Sequence, residues 1–333
     1  MKVLPILAAV LGLGLIVALI GYFGAGAVIR SLLAVGGLGF AAICAIHLAL
    51  MVVMGLAWRA LIPGAPWWVA IWGRLVRDSG SEALPLSQVG GYLLGARAIA
   101  LAGLSGTVAA ATTIVDVTFE FVAQLAYTAL GLALLLQLQP GSEAATPVLI
   151  GLGIAIAAAA AFLIVQRHGF DYFDRIARIL GRGWAERSAA GAAALHAALR
   201  EIYRRPVELW VCFLLHLVCW IASAAEAWLV LRFAGEPLPF TAVLALESML
   251  YAARTAAFVV PNAVGVQEGA YILLGATLGM TPEMALALSL LKRARDLAIG
   301  LPTIAAWQAV EGGRLWRRRG SVEPSRLPAT SPD

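Results

Sequence analysis

Charge is what this sequence has least of. Of 333 residues only 13% are Asp, Glu, Lys or Arg, against about a quarter in a soluble globular chain. A deficit of that size excludes an ordinary water-soluble domain. Cysteine is scarce as well. The three present, Cys44, Cys212 and Cys219, lie inside apolar runs, which excludes a disulfide framework and leaves small apolar packers. There are four histidines. His216 stands ten residues before Glu226, so an HExxH zinc site is absent, and His47 and His216 are read as bundle histidines rather than ligands. No Gly-rich phosphate loop is present, so this chain alone is not expected to drive transport with ATP. No metal and no other cofactor is expected. The net charge is +5, yet no basic stretch carries interleaved aromatics, so nucleic acid is not an expected partner.

Apolar residues make up 61% of the chain, with a mean hydropathy of +0.87. Val3–Phe23, Leu38–Trp58, Thr146–Val165, Val207–Leu231 and Ala285–Val310 are the clearest runs, each long enough to cross roughly 30 Å of hydrocarbon. None alternates as a barrel strand does, so backbone groups in lipid must be satisfied within helices. The expected fold is an all-α polytopic membrane protein of about seven to eight transmembrane helices. The first run is longer than a signal-peptide core and is read as a retained helix.

Arginine placement orients this bundle. Lys2 begins inside, Arg59, Arg74 and Arg77 return inside, and Arg30 is a lone exception. The connection around Glu143 carries no Lys or Arg and is read as outside. Residues 166–206 hold eight arginines and form an expected cytoplasmic basic loop, with Phe170, Tyr172 and Phe173 interleaved. This divides residues 1–315 into a first half, 1–165, and a second half, 207–315. A disordered cytoplasmic tail is expected at 316–333. Both termini are then expected inside, with the chain in a bacterial inner membrane.

Two segments interrupt the helical pattern. Asp78–Leu104 carries Pro85, Gly90 and Gly91; Ala257–Met280 carries Pro261, Gly265 and Gly269. Gly91-Tyr92-Leu93-Leu94-Gly95-Ala96 aligns with Ala270-Tyr271-Ile272-Leu273-Leu274-Gly275-Ala276, and each tyrosine precedes an acid by about 25 residues, Asp116 and Asp296. The order of these matches predicts an internal repeat. Paired Gly/Pro-broken segments at membrane depth free backbone groups that only protein or a polar cavity can satisfy. The two segments are therefore expected to meet at one cavity.

Ionisable residues inside apolar spans are the second signal, since each costs roughly 2.5–3.5 kcal/mol on insertion scales. Asp116, Glu120 and Gln124 recur every four residues on one helix face. Lys292, Arg293, Arg295 and Asp296 cluster near the middle of the last span. The opposite signs predict pairing across the bundle, with Arg293 on the face of Asp296 and Arg295 reaching Asp116 or Glu120. Glu226, Glu247 and Arg254 are weaker candidates.

Val259–Pro302, with Val-Gly-Val-Gln-Glu-Gly-Ala-Tyr followed by Ser-Leu-Leu-Lys-Arg-Ala-Arg-Asp, resembles the second signature of the flippase-like, or lysylphosphatidylglycerol synthase transmembrane-region, family. Leu84–Glu120 resembles its first signature, with Arg97 in place of the family's basic residues. The details look most like members associated with hopanoid biosynthesis. Gln267 replaces a frequent arginine, Gly90-Gly91 replaces a Gly-acid pair, and Asp116 lacks its usual basic neighbour. The resemblance implies lipid handling or translocation, with membrane lipids (hopanoids or anionic phospholipids) and lipid-biosynthetic enzymes as partners. The soluble synthase domain of lysylphosphatidylglycerol-making members is not expected, nor is enzymatic activity. The candidate lipid pathway is Glu82, Gly90, Gly91, Arg97, Asp116 and Glu120 with Pro261, Asn262, Gly265, Gln267, Glu268, Gly269, Lys292, Arg293, Arg295 and Asp296. The rivals are a scaffold acting through the basic loop and an intramembrane lipid-modifying enzyme using Glu268 or Asp116 as base.

Overall fold

Long Ala/Leu/Val/Ile runs fold here as helices and turns. The computed structural model describes residues 21, 25–83, 88–141, 145–180, 182–257 and 260–320, and no strand occurs among them. The helices are α1 (Ala25–Ala60), α2 (Trp67–Ala83), α3 (Gln88–Leu101), α4 (Gly106–Leu138), α5 (Ala145–Leu180), α6 (Arg182–Tyr203), α7 (Pro206–Phe233), α8 (Phe240–Ala256), α9 (Val266–Thr277) and α10 (Pro282–Gly320). Ser105 caps α4 by accepting the Val108 N–H at 3.2 Å. Pro206 and Pro282 open α7 and α10, where a missing N–H costs nothing.

Among the described residues, four helices contain stretches long and apolar enough to cross a membrane: Ile29–Ala60, Gly106–Leu138, Thr146–Gln166 and Pro206–Phe233. The run Ala285–Val310 is not among them, because α10 carries its charges inside. Val3–Phe23 apart from residue 21, Pro85 and residues 321–333 lie outside the described residues. The expected basic loop is helical instead: α5 continues to Leu180 and α6 follows. Helix α10 likewise runs through Trp316 to Gly320.

α1 packs on α7, α4 on α7 and α8, α10 on α1 and α2, and α9 between α8 and α10. One apolar cluster gathers Trp58, Leu61, Val69, Ala109 and Leu209; another gathers Ile43, Val230, Leu246, Tyr271 and Leu288. On α5, by contrast, Leu149, Ile150, Ile154, Ile156, Phe162 and Ile164 are all exposed. Leaving such side chains in water would forgo roughly 1.5–3 kcal/mol each, so this face meets hydrocarbon.

α2 and α3 touch through small residues. A Cβ on Gly91 would stand 2.5 Å from the Arg77 carbonyl and collide with Ser81, and one on Gly95 would stand 3.0 Å from the Gly73 carbonyl. Backbones can approach this closely only without side chains between them. Gly91→Ala should therefore destabilise the bundle by about 1–3 kcal/mol, read as a lower unfolding midpoint in detergent. Gly37→Ala, with open space around its Cβ, is the control.

Candidate functional site

The two broken segments end on one polar cavity of about 410 Å³. Glu82, Gln88, Val89 and Tyr92 line it from the first, and Val260, Asn262 and Ala263 from the second. Asn262 joins them directly: its Nδ2 donates to the Glu82 carbonyl at 2.9 Å, and its Oδ1 accepts from Arg254 Nη2 at 3.0 Å. It does so from an unusual backbone. Asn262 and Ala263 have φ of 47° and 45°, the left-handed region that costs an L-residue roughly 1–2 kcal/mol. Strain of this kind persists only where surroundings impose it, and it gathers at functional turns.

One ionic group sits on α2 and α4. Arg74, 4% exposed, bonds Asp78 at 2.5 Å and Glu120 at 2.7 Å. Arg77, 2% exposed, bonds Asp116 at 2.6 Å and also pairs with Glu120. His216 of α7 closes the group, its Nε2 lying 2.9 Å from Asp116. Gln124, one turn on, donates to the Tyr251 carbonyl and to Thr255 Oγ1. The i, i+4 ladder on α4 thus faces the interior.

A second group spans α7 to α10. Lys292 pairs with Glu247, which also accepts the Tyr271 hydroxyl at 2.5 Å. Arg293 holds Glu268 at 2.6 Å, Ser289 donates to the same carboxylate at 2.8 Å, and Gln267 donates to Ser289 at 2.8 Å. Arg295 pairs with Glu226 and with Asp296 at 2.5 Å. Glu226 in turn lies 3.0 Å from His47 Nδ1.

These partners correct the expected ones. Asp116 and Glu120 are held by Arg74 and Arg77 from their own half, not by Arg295, because α2 brings two arginines down against α4. By spacing alone those arginines read as topology signals at a cytoplasmic face; they are core residues. Arg293 faces Glu268 rather than Asp296. The Gly265 turn does not offer its N–H to a ligand, since Glu268 Oε2 accepts that N–H at 2.7 Å. Glu268 thus makes the return half of a capping box, since glycine has no side chain to make the other half. Arg97 lies apart from the cavity, its side chain 54% exposed and bonded to Glu311 at 2.7 Å. Beside α3 and α10, a groove of about 470 Å³ is lined by Trp67, Trp68, Trp72 and Trp307.

Gly90 and Gly269 are half-buried, and Pro261 belongs to the turn that carries Asn262. Two sets of side chains have metal-like donor spacing, Asp116–Cys212–His216 and His47–Glu82–Asp296, each with donor atoms within 4.8 Å. In the first, both Asp116 oxygens are already engaged by Arg77 and His216, and the neighbouring guanidiniums would repel a divalent ion.

No curated protein and no solved structure matches the chain. The profile of the lysylphosphatidylglycerol synthase TM region matches residues 6–302. That span covers most of the sequence and both ionic groups, and the protein belongs to this family of membrane proteins.

Proposed function

We propose that the protein is a flippase-like lipid carrier of a bacterial inner membrane, with both termini cytoplasmic, and that it works alongside hopanoid or related isoprenoid-lipid biosynthesis. The hopanoid link rests on the likeness of Val264–Tyr271 and Ser289–Asp296 to family members associated with that synthesis. One observation carries the transport reading. A polar cavity with Arg74, Arg77 and Arg254 on its wall lies where two Gly/Pro-broken segments converge within an apolar bundle. Charged walls at membrane depth suit a lipid headgroup while its chains stay in hydrocarbon. The cavity's polar groups bind and orient a headgroup; no covalent step is assigned to them.

The internal repeat is part of this reading. α2–α3–α4 and α8–α9–α10 have the same order, and Gly103 and Gly279 supply left-handed turns (φ 115° and 83°) before α4 and α10. α4 packs on α8 while α10 packs on α2, the crosswise exchange that two related units produce. The charge pairs are reversed between units, arginine on α2 facing acids on α4, and Glu247 on α8 facing Lys292 on α10. Seven or eight crossings are part of the same reading.

The test is leaflet exchange of a fluorescent headgroup-labelled phospholipid in proteoliposomes, read by dithionite quenching. Asn262→Ala removes the hydrogen bond that ties the broken segments together and the one that holds Arg254. A bond to a charged group is worth about 1.5–3 kcal/mol, so exchange should slow by about tenfold or more. Exchange no faster than in empty vesicles for the native protein, or equal rates for the two proteins, would overturn the reading. Single-cysteine labelling at Ser188 and Ser325 should place both on the same, inner face.

A further inference from the structure

The ionic groups do not all balance. Lys292–Glu247 and Arg293–Glu268 are one-to-one pairs, and Asp78, Asp116 and Glu120 are each engaged by Arg74, Arg77 or His216. Around His47 the count differs: Arg295 faces two carboxylates, Glu226 and Asp296, and a third, Glu82, stands beside them. A ring nitrogen of His47, a Glu82 oxygen and an Asp296 oxygen all lie within 4.8 Å of one another. The other charged groups acting on Glu82 are Asp78, Arg254 and Arg295. None of them closes an ion pair with its carboxylate, which has neither a hydrogen bond nor a salt bridge among the described residues. Asn262 holds Arg254 by one guanidinium nitrogen, and both contacts to Asp296 come from Arg295 onto Oδ1.

Two carboxylates and an imidazole therefore converge in one small space. Neutral His47 carries one ring N–H, and the contact of Nδ1 with Glu226 Oε1 at 3.0 Å uses it. Asp296 is paired with Arg295, so the half-buried Glu82 beside it is the carboxylate left without a countercharge, and a like charge this close disfavours its ionised form. Arg295 and Arg254 leave the three acids one positive charge short. The gap opens on the cavity, since His47 and Glu82 both line it.

We infer that His47, Glu82 and Asp296 form a binding site for one monovalent cation, a proton or sodium, in the wall of the cavity. The cation supplies the missing positive charge. Its position beside the strained Asn262 turn, whose side chain is bonded to the Glu82 carbonyl, ties its occupancy to the link between the two broken segments. The transport reading could fail while this site stands, because binding is measurable without lipid movement.

The experiment uses the purified full chain in detergent. Unfolding midpoints are recorded from 0 to 200 mM sodium chloride, with choline chloride holding ionic strength constant, and separately from pH 5 to 9 without sodium. The isosteric Glu82→Gln variant and a His47→Gln variant are run beside the native protein. If sodium is the occupant, sodium raises the native midpoint by several degrees and choline does not, as binding to the folded state requires. If a proton is the occupant, sodium has no effect. The native midpoint then falls as pH rises relative to that of Glu82→Gln, because a proton bound only in the folded state stabilises at low pH. Either result, lost in the variants, supports the site. If native and variant midpoints respond identically to both titrations, the site does not exist. The same holds if the native protein responds to neither, and that outcome needs no variant to fold.

Discussion

Arg77→Gln should be among the most damaging single substitutions in the chain, costing about 3–5 kcal/mol. Arg77 is 2% exposed and bonds Asp116 and Glu120. Removing it leaves Arg74 and His216 to hold three acids, Asp78, Asp116 and Glu120. A carboxylate stranded away from water has no cheap alternative partner. The guanidinium also stacks within 5.2 Å of the Tyr92 ring, so packing is lost with the charge. Equilibrium unfolding in lipid bicelles, followed by circular dichroism, reads the loss. Adding Asp116→Asn should return part of it, with a coupling of about 0.5–3 kcal/mol for residues in direct contact. A single variant as stable as the native protein would mean that Arg77 is hydrated and does not bridge α2 to Asp116 and Glu120 on α4.

The second large effect concerns Arg295, and it is asymmetric. Arg295→Gln strands Glu226 and Asp296 together and should also cost about 3–5 kcal/mol. Glu226→Gln should cost clearly less, because Arg295 keeps Asp296 at 2.5 Å and the remaining pair is neutral. Combining Arg295→Gln with Asp296→Asn should show coupling. Combining it with Asp116→Asn should be additive within about 0.5 kcal/mol, since the two share no partner. Coupling between Arg295 and Asp116 would restore the cross-bundle pairing expected from the spacing and displace Glu226 and Asp296 as the partners of Arg295.

Much of this is legible in the residues alone. The apolar runs, the two broken segments and the four-residue ladder Asp116–Glu120–Gln124 all say which face of a helix must be satisfied, and that face is buried. What the ladder cannot say is which neighbouring helix satisfies it, because helical periodicity fixes direction and not the opposing element. Arg74 and Arg77 are hidden for a related reason. Arg74 and Arg77 lie between apolar runs, so they look like topology charges at a membrane face; the close Gly91 and Gly95 contacts of α2 with α3 show that this helix lies within the bundle. The closed Gly265 turn has a readable signal, Gly265 followed three residues later by Glu268, the spacing of a capping box. His47 has none, since its partner Glu226 is 179 residues away.

Position 262 carries a narrow chemical demand. Its residue must sit comfortably at φ 47°, donate to one backbone carbonyl and accept from one guanidinium. Glycine meets the first demand and neither of the others. Aspartate tolerates the conformation and would accept from Arg254, but an ionised carboxylate cannot donate to the Glu82 carbonyl and would meet it oxygen to oxygen. Glutamine has both functions on a longer stem that disfavours the left-handed region. Asparagine meets all three demands with one short planar amide, whereas histidine and serine carry a donor and an acceptor but place them differently. A library randomised at codon 262 and selected for function should therefore return mostly asparagine, whereas one randomised at the open position 37 should return many residues.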